Sequence, residues 1–271
     1  MHSSLREIQK VQLEILMACR DVCERHDIPY FLAQGTLLGA VRHGGFIPWD
    51  DDVDIIMPSW AMKIFEVHFR EEMGQSYVWQ TIDTEEACPQ PWAKIRKKGT
   101  TSMPRQYQDM PIHWGICIDV FPLYEVGDRR IDRFIARMRF KFAKKFLAAS
   151  YTPCEPHPGI VNRLVAAVPI RLRRFLAKSC IRGLERNARQ GKDCFTLCRN
   201  SRFLAREWFY GPEAYLEFEG ERFRVPSDPH SFLTEMFGDY MTLPPEEERR
   251  GHDLKMGEII WDTQKDYSAY R

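Results

Sequence analysis

The sequence lacks any apolar run of the roughly 18 residues that a membrane-spanning helix needs. Its first residues, Met1 to Ser4, have neither the basic nor the apolar region of a secretory signal peptide. Its eight cysteines are scattered along 271 residues, without the dense spacing of a small disulfide-stapled domain. We therefore expect a protein of the reducing cytoplasm that neither spans a membrane nor is exported by that route.

Internal repeats and low-complexity segments are also absent. A chain of 271 residues with 44% hydrophobic and 13% aromatic content is long enough for a catalytic core with an appended subdomain. Short strand patterns alternate with helical patterns, which favours an α+β fold with a mixed sheet flanked by helices. We expect residues 1–128 to form this core, residues 129–200 to add a basic helical subdomain, and residues 201–271 to complete the core.

The net charge of +1 hides a strongly basic segment in the middle of the chain. Between Arg129 and Lys192 there are seventeen Lys or Arg residues and three acids. They are interleaved with apolar residues at helical spacing, which predicts basic amphipathic helices that either rest on anionic lipid headgroups or present a solvated face. No recognised nucleic-acid motif accompanies this segment, so nucleic acid is not an expected partner.

Local patterns predict a series of helices and strands. Apolar residues at helical spacing predict a helix from Ser4 to about Arg25, and the apolar run Tyr30 to Ala33 predicts a strand. Thr36 is expected to cap a short helix from Leu37 to His43. The other expected elements are a helix at Ser59–Met73, strands at Tyr77–Ile82, Trp92–Lys97 and Ile116–Phe121 (closed by Pro122), helices at 129–149 and 160–190 (interrupted at Pro169), and a hairpin strand at Glu217–Val225.

The strongest chemical signal is the run of acids from Asp50 to Asp54, interrupted only by Val53. On a strand, Asp52 and Asp54 would point to one face, where two carboxylates can bind Mg²⁺. Asp119, a lone acid in an apolar strand pattern, is the candidate third ligand. Runs of Asp also occur on solvated loops, but four acids in five positions repel one another unless a cation or a basic partner is present.

Upstream of these acids, Gly35 and Thr36 stand where a strand gives way to a helix. Backbone N–H groups at the start of a helix attract phosphate. A Gly-Thr pair alone is weak evidence. Together with the acids, it indicates a site for a phosphorylated substrate.

The segment from Gly35 to Asp54, read as GTLLGAVRHGGFIPWDDDVD, resembles the signature of the LicD family, whose relatives include the fukutins. About twenty consecutive positions carry this resemblance. Weaker matches follow at Lys94–Arg96, at Asp119–Pro122 and at Gly238 to His252. Together they span most of the chain.

The resemblance implies a nucleotidyltransferase-type fold that transfers phosphocholine, or a similar phospho-alcohol, from a CDP-linked donor such as CDP-choline. The acceptor that the resemblance implies is a hydroxyl of a glycan, such as lipopolysaccharide, teichoic acid or a lipid-linked precursor. Phosphoryl-type transfer requires mainly positioning and charge neutralisation. Asp52, Asp54 and Asp119 would hold Mg²⁺, with Mn²⁺ as an alternative ion, and Asp119 or Asp50 would take the acceptor proton.

The same resemblance suggests which groups contact the substrate. Gly35 and Thr36, with Lys94 and Arg96, would contact the diphosphate oxygens. Arg42 and His252 are further candidates. Solvated roles are the alternative for Arg42 and for the basic run that contains Lys94.

Two other functions remain open at this point. The alternatives are a true nucleotidyltransferase and an inactive fold member that only binds a glycan or a nucleotide. Trp49, Trp92 and Trp114 flank the motifs and either form an aromatic cage for a quaternary ammonium group or pack in the core.

Overall fold

The computed structural model describes residues 4–148, 164–165, 167–186, 193–196, 202–249, 251 and 258–271, with only the backbone of 193–196. The helices are α1 (Leu5–Arg25), α2 (Gln34–His43), α3 (Ser59–Met73), α4 (Arg130–Ala148), α5 (Ile170–Arg186) and α6 (Pro229–Phe237). The strands are β1 (Phe31–Leu32), β2 (Asp54–Pro58), β3 (Tyr77–Gln80), β4 (Ala93–Lys97), β5 (Thr101–Pro104), β6 (Cys117–Val126), β7 (Asp193–Thr196), β8 (Phe203–Ala205), β9 (Ala214–Phe218), β10 (Glu221–Val225) and β11 (Ile259–Asp262).

The first helix begins where the sequence predicts it. The Ser4 hydroxyl accepts the N–H of Glu7, and the Glu7 carboxylate accepts the N–H of Ser4, so the two residues form a capping box. Apolar residues such as Ile8, Ile15 and Val22 are buried on one side of the helix. That side packs against the central sheet and α3.

A mixed sheet forms the centre of the fold, as expected. Its strands run in the order β1-β2-β6-β4-β3, and β7 and β8 extend it beside the second half of β6. Among the described strands, β2 and β6 are parallel and the other pairs are antiparallel. The β2 residues are all buried, so this strand crosses the middle of the core. The α+β architecture with a mixed sheet flanked by helices is therefore confirmed.

The expectation that Pro122 closes its strand was wrong, because β6 continues to Val126. On one side of β6, the pairing with β4 ends at Val120, and the pairing with β7 begins at Leu123. Pro122 lies between these two partners. A residue without an N–H is tolerated at this point because no ladder hydrogen bond is required of it there.

Two small sheets complete the core. The β9–β10 hairpin turns through Glu219 and Gly220, both with positive φ, so the predicted single strand is a pair. The β5–β11 pair joins the C-terminal residues to the middle of the chain. The division into domains, including the assignment of residues 201–271 to the core, stays a prediction.

The basic segment contains the predicted helices α4 and α5, which pack against each other. Ala136 and Phe140 lie with Leu184, and Leu147 lies with Ala177, so the two helices are antiparallel. The α5 helix begins directly after Pro169, as the expected interruption requires. In the part of the chain that the structure describes, no helix is both long and apolar enough to cross a bilayer.

Candidate active site

The parallel pairing of β2 and β6 brings two acids side by side. Asp54, the first residue of β2, lies opposite Asp119 near the start of β6. The N–H of Asp119 donates to the carbonyl of Val53 at 2.8 Å, which fixes this register. Two acids far apart in sequence therefore share one end of the sheet.

Thr36 has a different role from the predicted helix cap. The α2 helix begins at Gln34, before the predicted start at Leu37, and Ala33 takes the N-cap position without a side-chain bond. Gln34 has a φ of 49°, and this left-handed turn lets the helix follow β1 directly. The Thr36 hydroxyl instead accepts the N–H of Asp54 at 2.8 Å. The motif's threonine thus holds the start of the acid-bearing strand.

The acids before β2 form a tight loop instead of an extension of the strand. Asp52 precedes β2, so it does not alternate with Asp54 along one strand as expected, but its carboxylate still lies close enough to repel that of Asp54. One carboxylate oxygen from each of Asp50, Asp51 and Asp52 lies within 4.8 Å of the other two. A turn precedes the acids, closed by the N–H of Asp50, which donates to the carbonyl of Ile47 at 2.9 Å.

Two glutamines of α1 hold the backbone of this loop. The Gln9 amide donates to the carbonyl of Asp50 at 2.9 Å, and the Gln12 amide donates to the carbonyl of Asp51 at 2.8 Å. Both side chains are buried. The sequence reasoning missed them, although Gln12 occupies an inward-facing position four residues after Ile8 in the apolar stripe of the helix.

The electrostatics of the acids favour a bound cation. Burial raises the pKa of Asp54 well above its usual range, and repulsion from Asp52, Asp119 and Asp50 adds to the shift. Burial, with repulsion and a hydrogen bond from Asp52, raises the pKa of Asp50 to about 9. Among the described residues, no donor reaches the buried Oδ1 of Asp54. An orphaned carboxylate oxygen among crowded acids fits a divalent cation, which prefers oxygen ligands.

Lys94 is a cationic partner of these acids. Its ammonium pairs with the carboxylate of Asp119 across β4 and β6. Burial alone lowers the pKa of Lys94, but the attraction of Asp119 and Cys117 outweighs it and raises the pKa overall. Lys94 therefore keeps its positive charge beside the acids at neutral pH.

The two arginines that were predicted to contact substrate, Arg96 and Arg42, hydrogen-bond to other parts of the protein. Arg96 is buried and donates to Gln80 and to the carbonyl of Gly115. Arg42 donates to the carbonyl of Tyr240 at 2.8 Å. The structure thus gives both guanidinium groups partners within the protein, and their contact with substrate stays a prediction.

Two glycines allow backbone to approach the acid loop closely. A Cβ on Gly35 would lie 2.5 Å from Oδ2 of Asp50, and a Cβ on Gly251 would lie 2.1 Å from Oδ2 of Asp51. The second contact brings the C-terminal part of the chain to the acids, although sequence reasoning did not single out Gly251 itself. His252 follows Gly251 directly but lies outside the described residues.

The three tryptophans near the motifs do not share one cluster. Trp114 packs with Met103 and Ile260, whereas Trp92 packs against the main core and lies 5.3 Å from Phe121 between ring centroids. The ring of Trp49 also packs against the main core. The core-packing alternative is therefore the one that the structure supports.

Comparisons with known proteins agree with this geometry. The family model described as LicD/FKTN/FKRP, nucleotidyltransferase domain, matches residues 27–154. The lipopolysaccharide cholinephosphotransferase LicD of Haemophilus influenzae is 32% identical over 274 aligned residues, which cover 95% of this chain and 98% of that protein.

More distant relatives match shorter stretches. The human and mouse ribitol 5-phosphate transferases FKRP are each 56% identical over 34 residues, or 12% of this chain and 7% of theirs. An uncharacterized protein of Rickettsia typhi is 40% identical over 70 residues, or 25% of this chain and 21% of its own. The near full-length match, the family model and the acids at the end of the sheet lead to one conclusion: this chain belongs to the LicD family.

Proposed function

We propose that this protein transfers phosphocholine, or a related phospho-alcohol, from a CDP-linked donor to a glycan hydroxyl. The observation that carries the proposal is the buried Asp54 beside Asp119, with an orphaned carboxylate oxygen that calls for a cation. The Haemophilus influenzae relative that aligns over almost its whole length is a lipopolysaccharide cholinephosphotransferase, and the FKRP relatives transfer ribitol 5-phosphate. Both names describe the transfer of an alcohol phosphate.

Asp52, Asp54 and Asp119 are the residues that would hold Mg²⁺, or Mn²⁺ as the alternative ion. Their oxygens suit a hard cation, and the acids repel one another without one. When bound, such an ion neutralises phosphate charge and polarises the transferring phosphoryl group. The metal dependence of the reaction is part of this proposal.

The chain's own groups have distinct tasks in the proposed reaction. The Thr36 hydroxyl holds the backbone of Asp54 at the start of β2. The side chains of Gln9 and Gln12 hold the backbone carbonyls of the acid loop. Lys94 presents a fixed positive charge next to Asp119, where it can meet a phosphate oxygen. These groups position the donor before the acceptor arrives.

A carboxylate of the cluster takes the proton of the acceptor hydroxyl. Asp50 and Asp119 are the two candidates. The raised pKa of Asp50 makes it a stronger base once it is ionised, whereas Asp119 already pairs with Lys94. The proton leaves the hydroxyl as its oxygen bonds to the phosphorus and the bond to the CMP oxygen breaks.

The acceptor class follows from the relatives and from the basic helices. We propose a cell-surface glycan or its lipid-linked precursor, modified on the cytoplasmic face of the membrane. Lipopolysaccharide is the acceptor in the name of the Haemophilus influenzae relative.

Product analysis separates this reaction from its alternatives. The purified protein is incubated with labelled CDP-choline, or with labelled CTP, together with glycan and Mg²⁺. Release of CMP with label on the glycan supports phospho-alcohol transfer. Release of pyrophosphate from CTP would identify a true nucleotidyltransferase, and the absence of any product with all donors would favour a binding protein.

A further inference from the structure

The outward faces of α4 and α5 expose large apolar side chains that a solvated surface does not need. We call them the basic–aromatic surface, and its apolar members are Ile131, Phe134, Phe142, Leu172 and Phe175. Phe134 is 61% exposed and Phe175 is 65% exposed. Single exposed apolar residues are ordinary, but these five are concentrated on two helices that pack against each other.

Helix geometry places the α4 members in one stripe. Ile131, Phe134 and Phe142 follow a spacing of three and then eight residues, so they lie on the same side of the helix. The residues that α4 buries against the sheet and α5, including Phe140 and Leu147, lie on the opposite side. The helix therefore has two apolar sides, one packed inside the protein and one exposed, on which the Phe142 ring stacks with Phe146 of the same helix.

Cations flank the exposed stripe on both helices. Exposed examples are Arg130, Lys141 and Lys144 on α4 and Arg171 and Arg182 on α5. Across the residues of the two helices there are thirteen Lys or Arg and two acids, Asp132 and Glu185. Asp132 pairs with Arg129 and Glu185 pairs with Lys63, so both acids are already neutralised.

We propose that this surface docks the protein on an anionic phospholipid bilayer. Exposed Phe, Leu and Ile enter the headgroup region while Lys and Arg contact the anionic headgroups, which is how interfacial helices bind. An acidic groove of a partner protein would pair with the cations alone. An anionic bilayer binds both the exposed aromatic side chains and the dispersed cations.

A loop next to the site connects α5 with the strand that carries Lys94. The Arg174 guanidinium of α5 donates to the carbonyls of Ile82 and Glu85, in the loop that connects β3 to β4. Lys94 at the start of β4 pairs with Asp119. If the proposed function holds, docking would keep the acids close to an acceptor carried on lipid, but lipid binding itself is independent of the transfer reaction.

Vesicle co-sedimentation of the full chain tests this directly, without donor or acceptor. We expect binding to phosphatidylcholine vesicles that contain phosphatidylglycerol, little binding to phosphatidylcholine alone, and weaker binding at high salt. Each cation near the surface contributes about a fivefold factor in affinity. The double variant Lys141→Gln with Lys144→Gln should therefore lower affinity at least about tenfold, and Phe134→Ser with Phe175→Ser should lower it as well.

A matched control uses the exposed apolar residues of α3. The variant Ile64→Ser with Val67→Ser removes apolar surface of similar exposure without changing α4 or α5, and should bind vesicles as the wild type does. Circular dichroism would verify that every variant is folded. Three outcomes would overturn the proposal. The first is an equal loss of binding in both serine pairs, and the second is the absence of binding to anionic vesicles at low salt. The third is a wild-type dimer that does not bind vesicles and that dissociates in the variant Phe134→Ser with Phe175→Ser.

Discussion

The hydroxyl of Thr36 accepts the backbone N–H of Asp54 at 2.8 Å and thereby joins the first turn of α2 to the first residue of the acid-bearing strand. Both residues are buried, so water cannot replace the lost partner if the hydroxyl is removed. The bond connects the two ends of the family motif, which are eighteen residues apart in sequence.

Replacing Thr36 with valine tests this connection. Thr36→Val keeps the shape and leaves the N–H of Asp54 without an acceptor, which should cost about 1–3 kcal/mol of unfolding free energy. Activity should fall further because Asp54 is displaced. Urea unfolding and initial rates measure the two effects. Thr36→Ser retains the hydroxyl and should stay near wild type, and a serine variant as damaged as the valine variant would disprove the role of the bond.

A substitution at Gly35 is expected to lower activity without lowering the stability of the fold. Alanine at this position brings a Cβ to 2.5 Å from Oδ2 of Asp50, so the carboxylate must move. Alanine also favours helix over glycine by about 1 kcal/mol, which offsets part of the clash. We expect Gly35→Ala to have a melting temperature near that of the wild type and a much lower kcat.

Wild-type activity in Gly35→Ala would contradict this prediction. If activity stays at the wild-type level, the position of the Asp50 carboxylate has no importance for the reaction. Gly35→Ser provides a second, polar probe of the same space and should behave in the same way.

Asp54 is expected to destabilise the metal-free protein. Its pKa is raised by burial and by neighbouring acids, so the folded state disfavours the ionised carboxylate. The neutral isostere in Asp54→Asn should therefore leave the melting temperature unchanged or raise it without metal. Mg²⁺ should stabilise the wild type in a thermal-shift assay and should not stabilise Asp54→Asn. A variant that melts lower without metal would show that the carboxylate makes a favourable contact.

We expect His113 to make a contribution to the free energy of unfolding that is lost at acidic pH. Burial, with repulsion from Arg96, lowers the pKa of His113 to about 4, and its Nδ1 accepts the N–H of Gly115 at 3.1 Å. The unfolded state takes up a proton as pH falls below about 6.5, and the folded state does so only near pH 4. Stability from this group is therefore present above about pH 6.5 and is lost as pH falls through this window.

Urea unfolding at neutral and at acidic pH measures the contribution. His113→Asn supplies an acceptor for Gly115 but cannot be protonated, so it should lose less stability than the wild type between pH 6.5 and 4. Equal losses in the two proteins would place the acid sensitivity elsewhere.

The acids of the site could be predicted from sequence because they form a local pattern. Asp52 and Asp54 lie in one continuous motif, and Asp119 stands out as an acid within an apolar strand. A strand pattern does not specify its neighbour, so the opposition of Asp54 and Asp119 depends on the parallel register of β2 and β6. Only the structure shows that register.

Other features of the site depend on packing that no local pattern encodes. Thr36 was expected to cap a helix because threonine favours that position, but the helix starts at Gln34 with a left-handed φ. Gln12 reaches the acid loop because α1 lies on the sheet, and Gly251 reaches Asp51 from the far end of the chain. These contacts join segments that are distant in sequence.

Mg²⁺-dependent release of CMP from CDP-choline in the presence of glycan tests the central claim most directly, with wild type and Asp52→Asn compared under identical conditions. The proposed function predicts that the wild type needs Mg²⁺ and that Asp52→Asn, folded by circular dichroism, is at least about 100-fold slower. Turnover by Asp52→Asn within a few-fold of the wild type would contradict the assignment of these acids to the reaction.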